Sequence, residues 1–202
     1  MKPQLNFKTL CEIFRDISTV VHTSMNVDEV LELVVWRFTK IFGAKGTALR
    51  ILNLKKNELE QFDSYGLGDK YLSKGPLSNN KTIEELCRLG KIITIEDILM
   101  NPRIQNPQEI WEEGIRLVLD LPLIIGEDIL GIIRIYFSEK GEFSHEEYDF
   151  FGAVSEQCAC AIDKARMFEE QQSQYDQLAL QTEKLSALGR MAAGIALSLI
   201  HI

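Results

Sequence analysis

The chain has 202 residues, 46% hydrophobic and 26% charged, enough for the core of one ordinary domain with an extension. A formal net charge of −8, without a Lys/Arg-rich block, argues against nucleic-acid and anionic-membrane partners, whose phosphates require a basic surface. The N-terminal stretch MKPQLNFKTLCEIF has scattered charges and no apolar secretory core, and the most apolar run is broken by Arg116, Asp120, Glu127, Asp128 and Arg134. Neither a leader nor a membrane-inserted helix is therefore expected, and the expected compartment is the cytoplasm.

Leu10, Phe14, Ile17 and Val21 recur at helical spacing, with Ile13 and Val20 widening the stripe, which predicts an amphipathic helix over residues 5–23. Asn26 and Glu29 stand at the two positions of a capping box before a second helix that Gly43 closes. Period two then predicts a hairpin from GTALRILNL and ELEQFDSYGL around the turn KKN. Thr82 and Glu85 can cap a short helix ending at Gly90, KIITIED reads as a strand, and a proline-containing segment with a short helix around Trp111 follows. IRLVLDLPLII and ILGIIRIYF, joined by GED, are too apolar to be one-sided and predict a hairpin in the middle of a sheet covered on both faces. Ser144 and Glu147 form a second capping-box pair, after which one long helix runs from 144 to the high 190s.

The expected fold is α+β: an antiparallel sheet of five to six strands with terminal helices on one face, and a short helix and loops on the other, where a pocket can form. Cys11, Cys87, Cys158 and Cys160 make no C-x-x-C pair, and Cys158 and Cys160 point to nearly opposite sides of one helix. All four are expected to be buried small hydrophobes, and no metal site is expected around the isolated His22, His145 and His201.

The element order, with Leu121-Pro122-Leu123, Gly131, the helix start at Phe143-Ser144, and Ala161-Ile162 with Ala165, resembles a GAF domain over residues 5–170. The resemblance implies a small-molecule sensor and dimerisation module, placing a sensor domain at 1–170 and a signalling helix at 171–202. It names no ligand. A cyclic-nucleotide Asn-Lys-Phe-Asp-Glu run is absent, no cysteine stands in an Asp-Ile-Pro-type context for a bilin, and neither His22 nor His145 suits haem, so the cofactor stays unknown.

Beyond the domain, Leu178, Leu185, Leu188, Ala192 and Ile195 can share a heptad seam, while Phe168, Tyr175 and Thr182 form a competing stripe. Two readings stay open: a weak coiled coil, or a parallel homodimer with two near-equal packings that a sensor can bias. EKLSALGRMAAGIA resembles the start of the dimerisation and phosphoacceptor helix of bacterial sensor histidine kinases. That family places its phosphorylated histidine directly after the position of Ala196, where this chain has Leu197. His201 lacks the acidic neighbour that would orient its ring. No catalysis is expected from this chain; the tail Leu197–Ile202 reads as foreign sequence, and a response regulator would be reached only through a kinase core beyond it.

For the pocket, Tyr65, Tyr71, Thr94, Trp111 and Asp120 are the candidates. A three-residue turn at Gly126–Asp128 would pair Ile125 with Ile129 and set Asp120 opposite Arg134 as a structural ion pair. A two-residue turn would set Asp120 opposite Ile135 and free it for a ligand. A stand-alone binding or dimerisation protein is the alternative function. A third is a thiol-dependent reductase using Cys87, for which no resolving cysteine lies nearby in sequence.

Overall fold

A computed structural model describes residues 7–23, 27–53, 56, 58–68 and 90–200. In chain order the elements are α1 (Phe7–Thr23), α2 (Val27–Ile41), β1 (Gly46–Asn53), β2 (Glu58–Tyr65), β3 (Ile93–Ile95), α3 (Pro107–Glu112), β4 (Leu117–Ile125), β5 (Asp128–Phe137) and α4 (His145–Ile200). The expected cap at Asn26 and the short helix capped by Thr82 lie outside the described residues. By compactness the chain divides into two units, Met1–Asp163 and Lys164–Ile202.

Among the described residues the first unit is built on an antiparallel sheet of five strands in the order β2-β1-β5-β4-β3, with the apolar β4–β5 hairpin inside it as its composition requires. One face carries the main core. Ile13 and Ile17 of α1, Val34 and Phe38 of α2, and Phe151 and Val154 of α4 close over Leu49, Leu119, Leu121 and Ile133. Phe38, Phe42, Phe150 and Phe151 meet ring to ring in that layer, with Phe42 and Phe151 centroids 4.5 Å apart. Helix α4 opens on the expected reciprocal cap: the Ser144 amide donates to Glu147 Oε2 at 2.8 Å, and the Glu147 amide donates to Ser144 Oγ at 3.2 Å.

The central hairpin reaches the expected pairing by a different route. Its turn has two residues, Gly126 and Glu127, since Ile125 pairs Asp128 and Ile124 pairs Ile129. Gly126 sits at φ 60, the left-handed region that such a tight turn demands. A bulge then shifts the register by one residue between Leu123 and Ile124, so Leu123 pairs Gly131 and Asp120 still pairs Arg134. The three-residue turn is thus replaced by a shorter turn plus one extra residue on β5.

Candidate functional site

The sheet face turned away from the main core is chemically divided. Strand alternation sends Ala48, Arg50 and Leu52 of β1 and Ile132, Arg134 and Tyr136 of β5 to this side, with Val118 and Asp120 of β4. At one end Ala48, Val118 and Tyr136 pack with Ile98, Ile104 and Ile110 from the following loop and α3. At the other end Leu52, Leu59, Ile129 and Ile132 form a separate cluster. Between them runs a charged stripe: Arg50, Arg134 and Asp120.

Arg134 and Asp120 are both fully buried, and the guanidinium grips the carboxylate with two parallel bonds. Nε donates to Oδ1 at 2.6 Å and Nη2 to Oδ2 at 2.7 Å. This fork geometry is the strongest form of the pairing and offsets part of the desolvation of two ions. Arg50 is the contrast. It is 3% exposed, and its Nε and Nη1 have no hydrogen-bond partner. No ion pair to it occurs among the described residues. Sequence reasoning passed over Arg50. The available signal was its position: a charge at the centre of GTALRILNL, in step with the small Ala48 and apolar Leu52.

The other candidates do not gather around Asp120. Thr94 pairs Leu119, one residue out of step with Asp120, and its Oγ1 shares a 2.8 Å hydrogen bond with the Tyr148 hydroxyl of α4. That puts it on the main-core side. Tyr65 pairs Thr47, whose hydroxyl meets Thr39 of α2 at 2.9 Å, and Lys40 Nζ lies 5.4 Å from the Tyr65 ring centroid. A bulge opposite Leu49 and Arg50 turns the end of β2 over, so Tyr65 also stands on the helix side. Trp111 follows Ile110 on α3 but is exposed, with the Arg116 guanidinium stacked 3.7 Å from its ring centroid. Tyr71 lies outside the described residues.

Expectation and structure differ on the cysteines. Cys158 is buried in the main core, and burial pushes its thiol up to about 12. Cys11 and Cys160, in contrast, are exposed, each just off the apolar stripe of its helix. Cys87 lies outside the described residues. Among the described residues no cluster of His, Cys, Asp and Glu could hold a metal, and no helix is long and apolar enough to cross a membrane.

In the second unit Phe168, Tyr175, Leu178 and Leu185 are exposed, at 63%, 64%, 60% and 69%. Leu188, Ala192 and Ile195 fall within α4, but their side chains are outside the described residues.

A helix-backed antiparallel sheet whose second face holds a buried charged stripe defines an α+β domain. The chain belongs to the GAF domain family, whose model matches residues 24–163. The GAF domain of a phosphoenolpyruvate-protein phosphotransferase from Coxiella burnetii superposes with a TM-score of 0.72 at 26% identity, covering 82% of this chain and 99% of that one. A domain assigned to a two-component sensor histidine kinase of Sinorhizobium meliloti 1021 has a TM-score of 0.60 at 16% identity, covering 74% and 99%. The formate hydrogenlyase transcriptional activator of Salmonella typhimurium strain LT2 is 21% identical over 175 residues, which are 82% of this chain and 24% of that protein. The chain thus spans about a quarter of the length of the curated relatives it matches.

Proposed function

We propose that this GAF domain is the sensory region of a two-component sensor histidine kinase. A small molecule bound on the second face of the sheet biases the packing of a parallel helix pair, and that pair controls autophosphorylation in a kinase core beyond these residues. The domain is taken as residues 1–170 and the signalling helix as 171–202.

The observation that carries the reading is the exposed apolar surface of the second unit. Phe168, Tyr175, Leu178 and Leu185 stand exposed on a helix with too few neighbours to cover them. A second copy of the same helix would supply the missing cover, since Leu178 and Leu185 stand one heptad apart on the seam and Phe168 and Tyr175 one heptad apart on the competing stripe. Residues 183–196, which are similar to the start of a kinase dimerisation helix, favour this output over others. Signals would pass to a response regulator through the kinase core, and the domain would work in the cytoplasm.

Sedimentation of the whole chain at tens of micromolar is expected to give a dimer mass, and the double substitution Leu178→Asn with Leu185→Asn a monomer. A monomeric wild-type chain would overturn the signalling-helix proposal.

A second reading is favoured by the similarity to a transcriptional activator. There the GAF domain is a ligand-binding or dimerisation module whose output is not a kinase. Sequencing the source DNA downstream of the Ala196 codon separates the two. A histidine, an acidic residue and an ATP-binding domain in frame support the kinase; a different effector domain supports the alternative.

A further inference from the structure

We propose that Arg50 anchors a small oxyanion, a carboxylate or phosphate group of the sensed molecule, on the second face of the sheet. This inference rests on the ligand-sensing reading above and names the chemistry of its ligand.

The first ground is that Arg50 is a buried cation without a counter-charge among the described residues. It is 3% exposed, and both Nε and Nη1 lack hydrogen-bond partners. A buried lysine or carboxylate in that position would shift its pKa and become neutral. A guanidinium cannot, because it stays protonated throughout the range in which proteins are folded. Nothing among the described residues offsets that cost, and a bound anion would.

The second ground is the surroundings. Arg50 pairs with Ile132 across the β1–β5 ladder, and Ala48, two residues before it, pairs with Arg134, so the two guanidinium-bearing residues are diagonal neighbours on one face. The charge of Arg134 is committed to the bidentate bond with Asp120, which leaves the stripe with one excess positive charge, carried by Arg50. Leu52 and Ile132 border the stripe on one side, and Ala48 and Tyr136 on the other. Apolar walls around a single unspent guanidinium fit a compact organic acid or phosphate ester better than a neutral or cationic molecule, since recognition sites pair a mostly apolar lining with a few placed polar groups.

Simple anions serve as the probes. Thermal melting of the whole chain is measured in chloride, acetate, succinate and inorganic phosphate at matched ionic strength, for wild type, Arg50→Met and Arg50→Lys. In chloride the Arg50→Met variant is expected to melt above wild type, because an uncompensated buried charge has been replaced by an apolar chain of similar length. At about a hundredfold excess over Kd, at least one oxyanion is expected to raise the wild-type Tm by roughly 5–10 °C. Arg50→Met should lose that shift and Arg50→Lys should keep a reduced one. A larger response to phosphate than to the carboxylates assigns a phosphate group, and the reverse assigns a carboxylate.

The proposal is overturned if Arg50→Met melts below wild type in chloride, if no oxyanion shifts the wild type, or if wild type and Arg50→Met respond alike. Should Arg50→Met fail to fold, the lysine variant decides: a shift equal to that of wild type in every anion overturns the site. Arg50-dependent binding that leaves the dimerisation constant unchanged would keep the site and remove the sensing reading. A dimer with no oxyanion response would do the opposite.

Discussion

The two faces of the sheet are built from the same strands and solve opposite problems. On the helix side, the alternate residues of β1, β4 and β5 are mostly Leu, Ile and Phe, with Thr47 satisfied by Thr39 of α2, and one continuous apolar cluster joins them to α1, α2 and the start of α4. On the other side the same strands present Arg50, Arg134 and Asp120, and the apolar packing is cut into two clusters. The first arrangement maximises burial of apolar area, the main driving force of folding. The second forgoes part of that stabilisation to keep ions in the interior, the contrast on which the proposed oxyanion site rests.

Breaking the ion pair should give the largest effect. Asp120→Asn leaves Arg134 charged and short of its carboxylate, and is expected to cost about 3–5 kcal/mol by urea denaturation. Phe151→Ala on the helix face should cost a similar amount, about 3–5 kcal/mol, through cavity formation. The faces then part company under double substitution. Asp120→Leu with Arg134→Met should recover most of the loss, since replacing a whole buried pair is often neutral or stabilising. No second change to an apolar residue restores a truncated Phe151. If Asp120→Asn costs less than about 1 kcal/mol, the stripe is not sealed from water and the contrast between the faces fails.

How much of this was legible in the sequence depends on what each feature needs. Helices α1, α2 and α4, the Ser144–Glu147 cap and the inner position of the β4–β5 hairpin follow from periodicity and composition, which are local. The site does not follow, because it depends on which face each strand residue meets. Two bulges decide that. The one opposite Leu123 and Ile124 keeps Asp120 on Arg134 despite a shorter turn, and the one opposite Leu49 and Arg50 sends Tyr65 to the helix side. A one-residue slip reverses the faces, and no composition signal marks where a slip occurs. Arg50 was visible as a misplaced charge, but its lack of a counter-charge among the described residues is a tertiary fact.

Two smaller effects sharpen the comparison. A Cβ on Gly131 would lie 2.2 Å from the Arg50 carbonyl oxygen, a backbone atom that cannot swing aside. Gly131→Ala should therefore part β1 from β5 beside the stripe and cost about 1–3 kcal/mol, read by urea denaturation. On the helix side, burial holds the Cys158 thiol neutral by raising its value from 9.0 to about 12. The unfolded thiol ionises first as pH rises, so the folded state then holds more protons and stability falls. The contribution is intact below pH 9 and declines by up to about 1.4 kcal/mol per unit towards pH 12. Denaturation of wild type and Cys158→Ala across that range isolates the slope. Thiol alkylation at neutral pH should label Cys11 and Cys160 while sparing Cys158.

The smallest effect lies where α4 begins. Ser144→Ala removes the acceptor for the Glu147 amide and should cost about 1 kcal/mol. Glu147→Ala removes the acceptor for the Ser144 amide and should cost less, because that group is exposed and water can replace the carboxylate. The two bonds constrain one turn, so the double variant should cost less than the sum, and a double-mutant cycle measures the difference. The cap starts a helix whose early residues Phe151 and Val154 belong to the helix-side core. Its loss should therefore lower Tm equally in chloride and in phosphate. A capping variant that also changed the anion response would mean that the two faces are energetically coupled through the sheet, and the separation of folding side from recognition side would have to be given up.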